Sequence, residues 1–259
     1  MLFNILKCDL YRFYKSKLLY GVAIFTALIA LLLSIMINQD IRLGISITGD
    51  MGYMFRNIDD VVRTGIQYHK FLGIFVAILL SVFIGQEYQW KTWQHKWIIG
   101  KSRTRIYLSK MIFSLVGSAA IFLIYQIVVL ISSNQTREML IAEYMATIIS
   151  GIFIYAALGA VICLLSMLIK NNIASIIVCL LYVLLSETLT SVMSNIGNIS
   201  DTVGRFVGFG IRHSIYGMSM IGSSTDFTAG YMTGIIINSL TIIILSTLLG
   251  AIVFKRYEL

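Results

Sequence analysis

The stretch LLYGVAIFTALIALLLSIMI, from Leu18 to Ile37, contains no charged residue. A helix of about 20 such residues is long enough to cross the hydrocarbon core of a bilayer. Similar apolar runs recur along the whole chain, which has 58% hydrophobic and only 12% charged residues. Soluble domains carry roughly twice this share of charge. The sequence therefore predicts an integral membrane protein, because the core of a soluble domain does not produce repeated runs of this length.

Six transmembrane helices are predicted, so the expected fold is an all-α membrane protein with a single membrane domain over residues 1–259. The predicted spans are Leu18–Ile37, Tyr68–Gly85, Met111–Ile131, Tyr144–Ile169, Ile173–Met193 and Met232–Phe254. The first span is expected to stay in the mature protein, because basic residues extend to Lys17 and the following apolar run is too long for a cleavable leader.

Basic residues are distributed unevenly between the two sides of these spans. Of the 20 Lys and Arg residues, 13 lie on the side that holds both chain ends and 7 lie on the other side. Because Lys and Arg are enriched in cytoplasmic segments, both ends of the chain are expected in the cytoplasm. This asymmetry accounts for the net charge of +8, and a nucleic-acid partner is not expected.

Two segments outside the spans have the pattern of short helices at the membrane surface. Residues 1–17 place five large apolar side chains on one helical face, which predicts an amphipathic interfacial helix. These are Phe3, Leu6, Leu10, Phe13 and Tyr14. The alternative is a plain basic flank of the first span. Residues 194–231 are rich in glycine and partly apolar, which favours short helices that dip into the outer leaflet or pack over the helix bundle.

The most informative segment between the spans is GQEYQWKTWQHKWIIGKSRTRIYLSK, from Gly85 to Lys110. Trp90, Trp93 and Trp97 share one side of a helix, so the segment is expected either to dock on a partner or to anchor in the interface. The sequence Gly-Lys-Ser that ends at Ser102 is not a P-loop, because the first glycine of that motif is missing and no strand precedes it.

Residues with catalytic or metal-binding potential are sparse. The three histidines are far apart and no HExxH or paired-carboxylate motif occurs, so we expect no enzyme activity, no metal and no bound cofactor in this chain. Glu187 is the one ionisable residue well inside a predicted span. It is expected either to contact substrate in the pathway or to reach the outer interface as a simple surface carboxylate.

The segment after the second span resembles the permease subunits of type-2 ABC exporters, especially the small bacterial ones. Their pattern of an acidic residue, Thr, Ser-Arg and Lys is matched by Glu87, Thr92, Ser102, Arg103 and Lys110, although the usual glycine before the Thr is replaced by a lysine. Six spans, a basic amphipathic N-terminal helix and outer re-entrant helices are also features of this family.

The resemblance implies a permease in a bacterial cell membrane that pairs with a second permease chain, identical or different, and with two ABC ATPase subunits. ATP and Mg would be bound by those partners. Residues 86–104 would form the coupling segment, with seven residues contacting the ATPase. These are Glu87, Trp90, Thr92, Trp93, Trp97, Ser102 and Arg103. The implied substrate is hydrophobic or amphipathic, such as a bacteriocin or another membrane-active peptide that is exported or against which the cell is protected.

Two alternatives belong to other classes. A self-contained secondary transporter or channel would show several ionisable residues at mid-membrane depth or an inverted repeat, and neither pattern is clear in the sequence. The second alternative is a membrane protein that binds a peptide for immunity or sensing without transporting it. A neighbouring ATPase gene would distinguish the ABC permease from both.

Overall fold

The computed structural model describes residues 2–38, 58–90, 92, 102–132, 142–169, 171–197, 201–224 and 229–256. Within these residues the regular structure consists of ten α-helices, with no β-strand. The helices are α1 (Leu2–Tyr14), α2 (Lys17–Asn38), α3 (Ile58–Ile66), α4 (Leu72–Gln89), α5 (Arg103–Ser132), α6 (Ala142–Leu168), α7 (Asn172–Gly197), α8 (Asp201–His213), α9 (Ile215–Gly222) and α10 (Ala229–Arg256).

Six of the described helices are long and apolar enough to cross a membrane, namely α2, α4, α5, α6, α7 and α10. The prediction of an all-α protein with six candidate spans is therefore confirmed. Two helices begin four residues or more away from the start of the predicted span. Helix α4 starts at Leu72 rather than Tyr68, because residues 68–71 form a turn. Helix α5 starts at Arg103, so several basic residues that were assigned to a loop lie in its first two turns.

The centre of the bundle is formed by α4, α5 and α6, with α7 against α4 and α10 against α6. Helices α5 and α6 approach each other closely at Gly159, where a Cβ atom would overlap the backbone oxygen of Ser114 and the Oγ atom of Ser118. Only glycine fits this contact without displacing the neighbouring helix. Helices α2, α7 and α10 expose most of their large apolar side chains, which require lipid or a second chain as their surroundings.

The short helices lie at the two ends of the bundle. We call the end that carries α1, the last turn of α4 and the first turns of α5 the basic end, because Arg12, Arg103, Arg105 and Lys110 are found there. The other end, which carries α3, α8 and α9, is called the opposite end. Helices α8 and α9 fall within residues 194–231, and α9 packs against α6 and α3. Their expected insertion into a leaflet stays a prediction.

Candidate functional site

Four charged side chains meet at the basic end of the bundle and form what we call the four-charge cluster: Asp9, Arg12, Glu87 and Lys110. Lys110 Nζ donates to Glu87 Oε1 at 2.6 Å and lies 2.9 Å from Asp9 Oδ1. Arg12 Nη1 donates to the same Glu87 oxygen at 2.5 Å. Ser109 Oγ donates to Asp9 Oδ2 at 2.8 Å. Two cations therefore balance two carboxylates across α1, α4 and α5.

Burial makes the members of this cluster depend on one another. The side chains of Lys110, Asp9 and Glu87 are 0%, 1% and 4% exposed, and only Arg12 reaches the surface, at 28%. A charge taken out of water needs a close opposite charge and complete hydrogen bonding, because its lost hydration costs several kcal/mol. Glu87 also lies in the last turn of α4, where the helix dipole disfavours a negative charge. Both effects make the cations of α1 and α5 necessary for the carboxylate of α4.

Phe83 joins the cluster to the aromatic core beneath it. The Arg12 guanidinium lies 4.3 Å from the centre of the Phe83 ring, and Lys110 Nζ lies 4.8 Å from it. Arg12 Nη2 also donates to the backbone oxygen of Phe83 at 2.5 Å. Phe13 of α1 meets the same ring edge-on at 5.1 Å, so α1 is attached to α4 by polar and apolar contacts together.

The residues predicted for ATPase coupling are distributed around this cluster. Glu87 is one of its members. Trp90 follows the last residue of α4 and is 58% exposed. Thr92 is half-buried, and Ser102 is exposed and precedes α5, where its carbonyl oxygen accepts from the amides of Arg105 and Ile106. Arg103 is the first residue of α5. Trp93 and Trp97 lie outside the described residues.

Asp9 and Arg12 were not predicted from the sequence as members of a site. Lys110 was part of the family pattern without a predicted role, whereas the structure places its ammonium group on Glu87. The signal that would have identified Asp9 and Arg12 is in α1. Ile5, Asp9 and Arg12 recur at intervals of four and three residues and share one helical face, which contacts the bundle. The face predicted to lie on the membrane includes Leu10 and Tyr14, which are exposed.

A smaller polar group occurs at the opposite end around Glu187. His69 Nε2 lies 3.8 Å from Glu187 Oε2, and the His69 ring lies 4.9 Å from the Tyr216 ring. The 3.8 Å separation between the His69 and Glu187 atoms is longer than a hydrogen bond. Burial, with a smaller effect from Lys70, lowers the pKa of His69 to about 4, so the ring is neutral near pH 7. Glu187 is thus a partly exposed carboxylate beside the neutral ring of His69, which in turn packs against Tyr216.

The chemistry that the cluster at the basic end shows is ion pairing. Its charges are engaged with one another, and the Ser109 hydroxyl donates to Asp9. In the described part of the chain, no three His, Cys, Asp or Glu residues are grouped so that they could hold a metal ion. The arrangement can hold the ends of α1, α4 and α5 in fixed positions relative to one another.

These features define a class of protein: a six-span helical membrane protein in which buried ion pairs join helix ends at a basic end. Residues 5–187, more than two thirds of the chain, match the sequence profile of a family described as ABC-2 family transporter protein. The chain belongs to this family, and it is accordingly the membrane-spanning, permease component of an ABC transporter, whose general partner is an ABC ATPase. No curated protein matches the chain in sequence.

Proposed function

We propose that this permease exports a hydrophobic or amphipathic substrate from a bacterial cell, and that residues 86–104 couple it to ATP hydrolysis on two separate ATPase subunits. The observation that carries the proposal is the four-charge cluster. It lies where α4 and α5 flank that segment, and it includes Glu87 and Lys110, the first and last residues of the pattern that resembles type-2 ABC exporters.

The cluster supplies a mechanical link between an ATPase and the bundle. A force applied to the segment between α4 and α5 reaches Glu87 within one turn of the end of α4. Because Glu87 is held by Lys110 of α5 and by Arg12 of α1, the three helix ends move together rather than separately. Buried ion pairs resist separation, since each unpaired charge costs several kcal/mol. The displacement is therefore transmitted as a rigid-body movement of whole helices.

The exposed apolar faces of α2, α7 and α10 support pairing with a second permease chain, identical or different, in addition to contact with lipid. Glu187 at the opposite end is proposed to contact the substrate where it leaves the bundle. A membrane-active peptide fits such a pathway, because an amphipathic peptide partitions into the bilayer and can enter the bundle from the side. Both chain ends are proposed to be cytoplasmic, as the distribution of Lys and Arg favours.

Transport into inside-out vesicles tests this proposal. Vesicles that contain the permease and its ATPase should accumulate a fluorescently labelled cationic amphipathic peptide when ATP is supplied. An ATPase variant that binds ATP without hydrolysing it is the control and should abolish accumulation. A fluorescent phospholipid, offered in the same way, distinguishes lipid from peptide as substrate. Accumulation that is independent of the ATPase would instead identify a secondary transporter, and binding of peptide without transport would identify an immunity or sensor protein.

A further inference from the structure

The end of α4 has a second set of polar contacts on the helical face opposite Glu87. Asn172, the first residue of α7, donates from Nδ2 to Gln89 Oε1 at 3.1 Å. Tyr88 Oη donates to the backbone oxygen of Met167, near the end of α6, at 3.0 Å. Both partners flank the short turn between α6 and α7. The last turn of α4 is therefore held on one side by the four-charge cluster and on the other by this α6–α7 turn.

Gly85 allows the turn to approach α4 so closely. A Cβ atom at this buried position would overlap Asn172 Oδ1 and lie 3.0 Å from Asn172 Cα. Any side chain at position 85 must therefore push Asn172 away from the helix. Gly85 and Gln89 are one helical turn apart on the same face of α4. Asn172 therefore contacts this face at two places, by packing on Gly85 and by a hydrogen bond to the Gln89 side chain.

The Asn172 Oδ1 atom at this contact is buried and has no hydrogen-bond partner among the described residues. Buried polar atoms are normally paired. The position of Asn172 is therefore set by its close packing on Gly85 and by the hydrogen bond from Nδ2 to Gln89, and not by a partner for its oxygen.

We propose that Asn172 is a positioning residue for the coupling segment: it holds the α6–α7 turn to the end of α4, so that the two move as one unit when the ATPase acts. The inference rests on the proposed function, since it assigns to α6 and α7 a share of the movement that residues 86–104 transmit.

Variants of the full permease, reconstituted with its ATPase, test this role by the amount of substrate transported per ATP hydrolysed. Asn172→Ala and Gly85→Ala should each lower this ratio about fivefold, as expected from the loss of one hydrogen bond, while complex yield is kept. Asn171→Ala is the matched control. Asn171 Oδ1 accepts from the amide of Ile173 and caps α7, and this hydrogen bond involves no residue of α4, so its loss should lower thermal stability but leave the ratio unchanged.

A reversible disulfide gives the second measurement. In a variant that lacks the native cysteines, Gly85→Cys with Asn172→Cys removes the polar contact but places two thiols within reach. The reduced pair should be uncoupled like Asn172→Ala, and oxidation should restore coupling because it rejoins the turn to α4. An oxidised pair that forms but blocks transport would overturn the inference, because α4 and the turn would then have to separate during the cycle. Failure of the disulfide to form would also overturn it.

The outcomes separate this inference from the function on which it rests. Absence of ATP-driven transport in the wild-type complex would overturn the proposed function and the inference together. Wild-type coupling in both Asn172→Ala and Gly85→Ala would overturn the inference alone. Equal loss of coupling in Asn171→Ala and Asn172→Ala would reduce Asn172 to a contributor to the stability of α7, and this result also counts against the positioning role.

Discussion

Lys110 Nζ lies 2.6 Å from Glu87 Oε1, although the two residues are on different helices and 23 positions apart in the sequence. The Lys110 side chain is completely buried, so Lys110→Met would leave the carboxylates of Asp9 and Glu87 short of positive charge. We expect this change to lower the free energy of unfolding by about 3–5 kcal/mol, measured by denaturant titration in detergent. The exposed control Lys15→Met should change it by less than about 0.5 kcal/mol.

The same pair can be tested by a double-mutant cycle. Glu87→Gln should destabilise the protein alone, because it leaves the two cations with one carboxylate. The combination of Glu87→Gln with Lys110→Met should cost less than the sum of the single changes, since residues in direct contact are not additive. Strict additivity would mean that the 2.6 Å contact carries no coupling energy and that the cluster does not act as a unit.

Arg12 fixes α1 to the bundle, because its guanidinium donates both to Glu87 and to the backbone of Phe83. Arg12→Ala should release α1. We expect a cysteine at buried Ile5, in a variant without native cysteines, to react faster with a thiol reagent once Arg12 is replaced. Lys7→Ala, on the exposed side of α1, is the control and should leave the rate unchanged. An unchanged rate in Arg12→Ala would show that apolar packing alone holds α1.

The architecture was largely predictable, whereas the site was only partly so. Spans follow from local composition, because about 20 consecutive apolar residues such as Leu18–Ile37 have no stable place outside a bilayer. The pairing of Glu87 with Lys110 and Arg12 depends on which helix faces meet. Several Lys and Arg residues lie at the same end of the bundle, and composition does not distinguish the one that is buried from those that are solvated.

The start of α5 shows the same limit in another form. A hydropathy pattern ends the span where charges begin, near Lys110, yet the helix continues back to Arg103. Its 30 residues extend about 45 Å at the usual rise, which is longer than the hydrocarbon core. The charged turns therefore continue the helix beyond the length that a span requires. A sequence pattern locates the apolar part of such a helix, but the tertiary contacts of Ser109 and Lys110 with Asp9 stabilise the extension.

His69 should make the stability of the protein depend on pH in a defined window. Its pKa is lowered to about 4, whereas an unfolded histidine titrates near 6.5. Between these values the unfolded chain binds a proton that the folded chain does not, so stability falls as the pH falls from about 6.5 to about 4. His69→Gln should be less sensitive to this change when unfolding is measured at pH 7 and pH 5. His213→Gln, on α8, is the control, and parallel behaviour of all three proteins would contradict the assignment.

Glu187 is proposed to lie on the substrate pathway at the opposite end of the bundle. Glu187→Gln keeps size and hydrogen bonding but removes the charge. If the carboxylate contacts a cationic peptide, the variant should need a higher peptide concentration for half-maximal transport while its complex yield is unchanged. The control is a neutral peptide of the same length, for which the variant should behave as wild type. Equal transport of both peptides by variant and wild type would leave Glu187 as an interfacial carboxylate.

Trp90 offers the most direct test of the coupling segment, because it lies directly after α4 and is 58% exposed. A tryptophan that becomes buried against a partner often contributes 2 kcal/mol or more, about a thirtyfold change in affinity. Trp90→Ala and Arg103→Glu should therefore each weaken association with the ATPase, measured by complex yield and by ATPase titration. The matched control is Tyr231→Ala at the opposite end, where the side chain is 54% exposed.

Lipid anchoring predicts a different result for these variants. A tryptophan that only contacts the interface should tolerate Trp90→Phe, and a single charge reversal at the start of α5 should have little effect on partner binding. Membrane insertion is expected in every variant, because the apolar spans are unchanged. ATPase binding that is weakened by Trp90→Phe as well as by Trp90→Ala, but not by Tyr231→Ala, assigns Trp90 to the interface between the subunits. Wild-type association in both Trp90→Ala and Arg103→Glu would leave residues 86–104 as an interfacial anchor and would place the coupling contact elsewhere on the basic end.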